Sequence, residues 1–140
     1  MKLHRTAEVR WTGRKLVFEG RTGDAAPILL DSTSTEGPSP TEALLMSAAA
    51  CMAIDIRVIL EKGRVTVDEL VVEVEGDRAP EPPRRFTEVR MKVRVAGPTE
   101  EDLPKLSRAV QLSRDKYCSV MHTLRPDLVV EITSGLIAGD

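Results

Sequence analysis

Aromatic residues are nearly missing from this 140-residue chain: Trp11, Tyr117, Phe18 and Phe86 make up 3% of it, against 41% hydrophobic residues in all. Any core is therefore aliphatic, and that apolar content excludes intrinsic disorder as the main state. An excess of charge is missing too. Twenty basic and 22 acidic residues leave a net charge of −2, so counterion release from a phosphate backbone supplies no obvious binding energy, and no nucleic-acid partner is expected. The start, Met1 to Glu8, has no apolar signal core, and no apolar stretch reaches the expected length of a bilayer span. The expectation is a soluble cytoplasmic protein with no membrane partner. Cysteine is scarce: Cys51 and Cys118 are too few and too far apart for a disulfide scaffold. They are inert core thiols, ligands or redox-active groups. GxGxxG, P-loop, HExxH and GxSxG signatures are all missing, and His4 falls on the polar parity of the first strand-like segment.

What is present suits one domain over residues 1–140. Ala7, Val9 and Trp11 alternate with Thr6, Glu8 and Arg10, the period of a half-buried strand. Turns at Thr12-Gly13-Arg14 and Arg21-Thr22-Gly23-Asp24 lead to two more strands, Lys15 to Gly20 and Ile28 to Leu30. A Ser-, Thr-, Gly- and Pro-rich loop follows, from Asp31 to Pro40. Ser39-Pro40-Thr41-Glu42 then sets a hydroxyl at the N-cap, proline at the first helical position and glutamate at the third. The helix it opens should run to Gly63, roughly 35 Å at 1.5 Å per residue. From Ala43 to Ile54 it is apolar or small on every face, so it needs cover all round.

Beyond Gly63, Leu70, Val72 and Val74 alternate with Glu73 and Glu75, while Val89, Met91, Val93 and Val95 alternate with Arg90, Lys92 and Arg94. Paired antiparallel, these two strands set the glutamates on the same side as the cations. Phe86 has the wrong parity for its strand, which predicts a bulge between Phe86 and Val89 or a strand start there. Pro98 to Asp102 opens an acidic-first helix with apolar Leu103, Leu106 and Val110, Ser113 reads as a second N-cap for a short helix through Leu124, and Leu128, Val130 and Ile132 mark a last strand. The order βββ-α-ββ-αα-β is an α+β plan in which the long helix packs on sheet.

The residues that could carry chemistry are few. Cys51, three turns into its helix, gains little from the helix dipole and on composition alone reads first as a small buried hydrophobe. Cys118 lies near Arg114, Lys116 and His122, which makes a lowered thiol pKa plausible, and it too has a plain reading as a semi-buried thiol. One helical turn separates Cys51 from Asp55 and Cys118 from His122. If the pairs met, they would offer S, O, S and N ligands to zinc, although Asp55 could equally pair with a buried arginine.

Gly37-Pro38-Ser39-Pro40-Thr41-Glu42-Ala43-Leu44-Leu45-Met46, the small-residue run into Cys51, Ile54-Asp55 and Leu60-Glu61-Lys62-Gly63 resemble the central helix of the OsmC/Ohr family, the osmotically inducible and organic-hydroperoxide-resistance proteins. Tyr117-Cys118-Ser119-Val120, with Ala109, Leu112 and Ser113 upstream, resembles the same family, and the likeness covers nearly the whole chain. It implies an OsmC-like fold in an intertwined homodimer, with strands from both subunits around long buried central helices. It also implies a cofactor-free thiol peroxidase for organic hydroperoxides in oxidative or osmotic stress defence. Cys51 would attack the peroxide, Cys118 would resolve the sulfenic acid as a Cys51-Cys118 disulfide, and an external dithiol would reduce it.

The sequence departs from the dedicated peroxidase branches, which carry glutamate immediately after the proline and an arginine paired with it. Here Thr41 follows Pro40 and the acid is Glu42, which lies across the helix from Cys51 and about 13 Å away along its axis. Arg14 is the nearest positional match to the arginine, and it also reads as a solvated turn residue. Arg14 and Glu42 are the candidates for the substrate side, and the pattern is closest to the OsmC-like branch. The alternatives to a peroxidase are a non-catalytic dimer that binds a small apolar ligand or partner, and the zinc site above. Small residues at Ser47, Ala48, Ala49 and Ala50 would let a second backbone approach, which also favours a dimer.

Overall fold

A computed structural model describes residues 3–137 of the chain. They divide into two compact units, the first ending at Leu44 and the second starting at Leu45.

The first unit is an antiparallel meander of β1 (Glu8–Trp11), β2 (Val17–Arg21) and β3 (Ile28–Asp31), in that order across the sheet. The first turn relies on Gly13 at φ +88, a conformation that costs glycine little. Trp11 Nε1 donates to the Lys15 carbonyl at 2.9 Å across this turn. All four β1 residues are exposed, so the half-buried strand expected from the alternation forms as a strand without the burial. Burial of a strand face needs a second layer above it, whereas β2 pairs beside β1 in the sheet plane. The loop after β3 winds around Asp31, and Gly37 permits its closest approach: a Cβ there would stand 2.2 Å from the Leu29 carbonyl oxygen.

The helix α1 (Pro40–Lys62) begins as expected. Glu42 N–H donates to Ser39 Oγ at 3.3 Å, and Ser39 N–H donates to Glu42 Oε1 at 3.0 Å, closing a reciprocal capping box. Of the α1 side chains, Ala48, Met52, Ile56 and Leu60 form a buried stripe that joins the aliphatic core of the second unit. Leu44, Met46, Ile54 and Val58 on its other faces are exposed. By length and composition α1 could cross a bilayer, which corrects the expectation that no stretch is long enough; its buried stripe packs instead on protein.

The second unit holds β4 (Glu69–Arg78), β5 (Phe86–Ala96) and β6 (Val129–Leu136), with β4 antiparallel and β6 parallel to the central β5. Val89, Met91, Val93 and Val95 of β5 are buried against the α1 stripe and against Leu106 and Ala109 of α2 (Leu103–Leu112). Each such side chain contributes about 1.5–3 kcal/mol through burial. The charged face is as the parity predicts: Glu73 faces Lys92 and Glu75 faces Arg90 in the ladder. Arg90 reaches Glu75 at 3.0 Å and Asp77 at 2.9 Å, and Arg94 pairs with Glu73. The expected bulge is present. Asp77 pairs with Glu88 and Arg78 with Phe86, so Thr87 is the extra residue. A parallel β5–β6 pair requires a long crossover, and the segment that supplies it carries α2, a wide turn at Ser113–Tyr117 and the short α3 (Ser119–Thr123).

Candidate active site

Residues 51 and 55 lie one turn apart along one edge of the buried α1 stripe. The packing of Met52 and Ile56, both fully buried, fixes that edge relative to the sheet. The second half of the site comes from the crossover. Here the helical path does not stop with α2 at Leu112. It continues through a π-type turn, Ser113–Tyr117, in which Cys118 N–H donates to the Ser113 carbonyl five residues back at 2.8 Å. Ser113 therefore has helical backbone angles and is not the N-cap that the sequence suggests. Cys118 is, with an extended backbone at φ −72 and ψ 99, and α3 starts behind it. The wide turn carries one more residue than an α-turn, and it leaves both the Ser113 hydroxyl and the Cys118 thiol buried.

The two halves meet. The Cys51 and Cys118 sulfurs and an Asp55 carboxylate oxygen all lie within 4.8 Å of one another. Both cysteines are free thiols, Cys51 half-buried and Cys118 buried. Ser113 Oγ donates to Asp55 Oδ2 at 2.8 Å; that serine, and not a buried arginine, is the partner of Asp55. Burial pushes the Cys118 thiol up to about 11, and the neighbouring Cys51 and Asp55 add to the effect. This reverses the expectation of an acidic Cys118: the nearby cations are near in sequence only, while the thiol itself is desolvated.

His122 is not part of the cluster. Its Nε2 lies 3.0 Å from the Arg114 carbonyl oxygen, and among the described residues the metal-capable group is Cys51, Asp55 and Cys118. The four-ligand Cys/Asp/Cys/His set is thereby reduced to three. The reason is local: Cys118 caps α3 instead of lying within a helix, so the one-turn spacing to His122 does not put both side chains on a shared helical face.

Arg14 and Glu42 belong to the first unit. Arg14 pairs with Glu36 at 2.5 Å, which raises the guanidinium pKa further. Glu42 accepts from the Ser34 hydroxyl and from Ser39, and these bonds hold its carboxyl below the ordinary range. Both residues thus have structural work in the turn and the cap. Sequence reasoning missed Ser113 as a site residue. The only signal was a polar residue in an otherwise apolar helical stripe, and that was consistent with a cap.

Two thiols at this separation, one half-open and one enclosed, can form a disulfide after a small closing motion. Reduced, they can share a soft cation with the carboxylate.

The family profile described as OsmC-like protein matches residues 32–133. Protein YhfA of Escherichia coli strain K12 is 41% identical over 115 residues, which cover 81% of this chain and 84% of that protein. Among solved structures, a protein from Aquifex aeolicus VF5 superposes with a TM-score of 0.85 at 26% identity, covering 100% of both chains. An organic hydroperoxide resistance protein OsmC from Legionella pneumophila shares the fold at TM-score 0.66 and 16% identity, over 96% of this chain and 98% of that one.

Proposed function

The chain belongs to the OsmC-like protein family, and from that premise we propose that it is a two-cysteine peroxidase that reduces organic hydroperoxides. The observation that carries the reading is the pairing of two free thiols of unequal exposure within 4.8 Å. The half-open Cys51 is the one a hydroperoxide reaches. Its thiolate attacks the distal peroxide oxygen, the O–O bond breaks, and the alkoxide leaves as alcohol after taking up a proton. The sulfenic acid at Cys51 is then attacked by the sulfur of Cys118, which loses its proton as water departs and a disulfide forms. An external dithiol returns both sulfurs to the reduced state by exchange. The raised pKa of Cys118 suits the second role, because it keeps the buried sulfur protonated until the sulfenic acid is in place.

The reading includes a homodimer. Its support is the exposed apolar set Leu44, Met46, Ile54 and Val58 on α1, which a second copy would cover. It also includes a cytoplasmic setting in peroxide or osmotic stress. Arg14 and Glu42 are the substrate-side candidates within it.

The deciding experiment is intact mass with thiol counting after one equivalent of cumene hydroperoxide. The expected product lacks two thiols and carries no added oxygen. Cys118→Ser should complete one turnover and leave a trappable sulfenic acid at Cys51, whereas Cys51→Ser should consume no peroxide. Unchanged thiols in the wild-type protein would overturn the peroxidase and favour a dimer that binds a small apolar ligand without turnover.

A further inference from the structure

The same cluster has a feature that disulfide chemistry does not require. Asp55 brings a carboxylate to within 4.8 Å of both sulfurs, yet none of the ion pairs among the described residues includes it. Its hydrogen-bond donor is the neutral, fully buried hydroxyl of Ser113. A carboxylate beside two thiols repels any thiolate that forms there, unless a cation joins them.

We propose that the reduced Cys51–Asp55–Cys118 cluster is a binding site for a thiophilic divalent cation, with Zn2+ the physiological occupant and a water as fourth ligand. Two sulfurs and one carboxylate oxygen are a donor set that suits zinc and disfavours magnesium or calcium. The geometry is close to what the ion needs. Zn–S bonds of about 2.3 Å and Zn–O bonds of about 2.0–2.2 Å in a tetrahedron set the ligand atoms about 3.3–3.8 Å apart. From the observed limit of 4.8 Å, no pair closes by more than about 1.5 Å to reach that range. Ser113 plays the supporting part: by donating to Oδ2 it orients Asp55 and leaves Oδ1 for the metal. Binding releases one proton from each thiol and leaves a site of net charge −1, from one dication, two thiolates and one carboxylate. A Cys51-Cys118 disulfide removes two of the three protein ligands, so occupancy follows the redox state of the pair.

This inference requires the reduced thiols and does not rest on peroxidase activity. The test uses the full chain, reduced with a phosphine, loaded with Zn2+ or Co2+ and desalted. The expected results are one retained zinc per chain and, for the cobalt form, a thiolate-to-cobalt charge-transfer band. Asp55→Ala and Ser113→Ala should each weaken zinc binding by about ten-fold or more, while His122→Ala should not change it. Because Cys118 is buried and its replacement could impair folding, the half-buried Asp55 and Cys51 variants carry the test. Diamide oxidation should release the zinc to a chromophoric chelator. No retained metal and no charge-transfer band in the wild type, unchanged affinity in Asp55→Ala, or zinc retained after oxidation would each overturn the proposal. Retained zinc in a protein whose zinc-free reduced form consumes no peroxide would support it and overturn the peroxidase reading.

Discussion

The two units of this chain are built on opposite principles. Residues 45–140 have an aliphatic core in which Met52, Ile56, Leu60, Val93, Val95 and Leu106 are almost fully buried. Residues 3–44 bury Val17 but leave other large apolar side chains open, Trp11 at 57% and Leu16 at 62% exposure, and hold their loop by hydrogen bonds to single carboxylates. Packing is non-directional and tolerates displacement poorly, because every neighbour must move. Hydrogen bonds around one acceptor are directional and replaceable by water. The cysteine pair lies in the packed unit, where a helix stripe and a wide turn set it from two sides. The difference predicts that core truncation in the second unit costs several times more than removal of a cap or loop acceptor in the first.

Ile56→Ala should show the largest effect. The side chain is 0% exposed within the α1 stripe, and truncation of such a residue costs about 2–5 kcal/mol, measured by urea unfolding. Ile54, two residues earlier on the same helix and 64% exposed, is the internal control. In a chain on its own, Ile54→Ala should stay within about 0.5 kcal/mol of wild type. If a second copy covers this face, the cost becomes larger and shrinks on dilution, because the dimer then contributes to stability by mass action. Equal costs at all concentrations for the two isoleucines would break the comparison.

Ser39→Ala comes next, at about 1 kcal/mol. It removes the hydroxyl that accepts from Glu42 N–H and leaves the return bond from Ser39 N–H to Glu42 in place. Amide exchange should accelerate in the first turn of α1 and not in β5. Acceleration in β5 would show that the cap and the core unfold as one.

Legibility follows the same division between local and distant contacts. The capping box was readable because Ser39 and Glu42 are three residues apart. The Thr87 bulge and the charged ladder were readable because strand parity fixes a face over a few residues. The Cys51–Asp55 pair was readable as one turn of helix. What could not be read is the contact between Ser113 and Asp55, 58 residues apart, since nothing in the periodicity of either segment names the other. Burial of Cys118 was hidden for the same reason, and the local cations pointed the wrong way. The π-type turn has no composition signal of its own. The parallel β5–β6 pairing depends on the crossover that docks α2, a tertiary event.

Asp31 tests the polar side of the comparison, and its effect has a sign that can be worked out. The carboxylate is 3% exposed. It accepts from the Thr33 N–H at 3.0 Å, the Glu36 N–H at 3.0 Å, the Thr33 hydroxyl at 3.0 Å and the Thr35 N–H at 3.3 Å. These donors, the Thr33 amide foremost, lower its pKa from 3.8 to about 2. A carboxyl depressed in the folded state contributes stability that is fully present above its unfolded value and is lost as pH falls through the folded one. The window is therefore from 3.8 down to about 2. Glu42, Asp77 and Asp127 are also depressed, so wild-type acid melting alone would mix four groups. The difference between wild type and Asp31→Asn isolates the one of interest, because the amide cannot ionise and offers one acceptor oxygen in place of two. Thermal melts should show Asp31→Asn less stable than wild type at pH 7, with the gap closing as pH falls through this window. The amides of Thr33, Thr35 and Glu36 should lose exchange protection together over the same range. A gap that stays constant with pH would mean that the loop is held by packing, and the contrast drawn between the two units would fail at its most polar point.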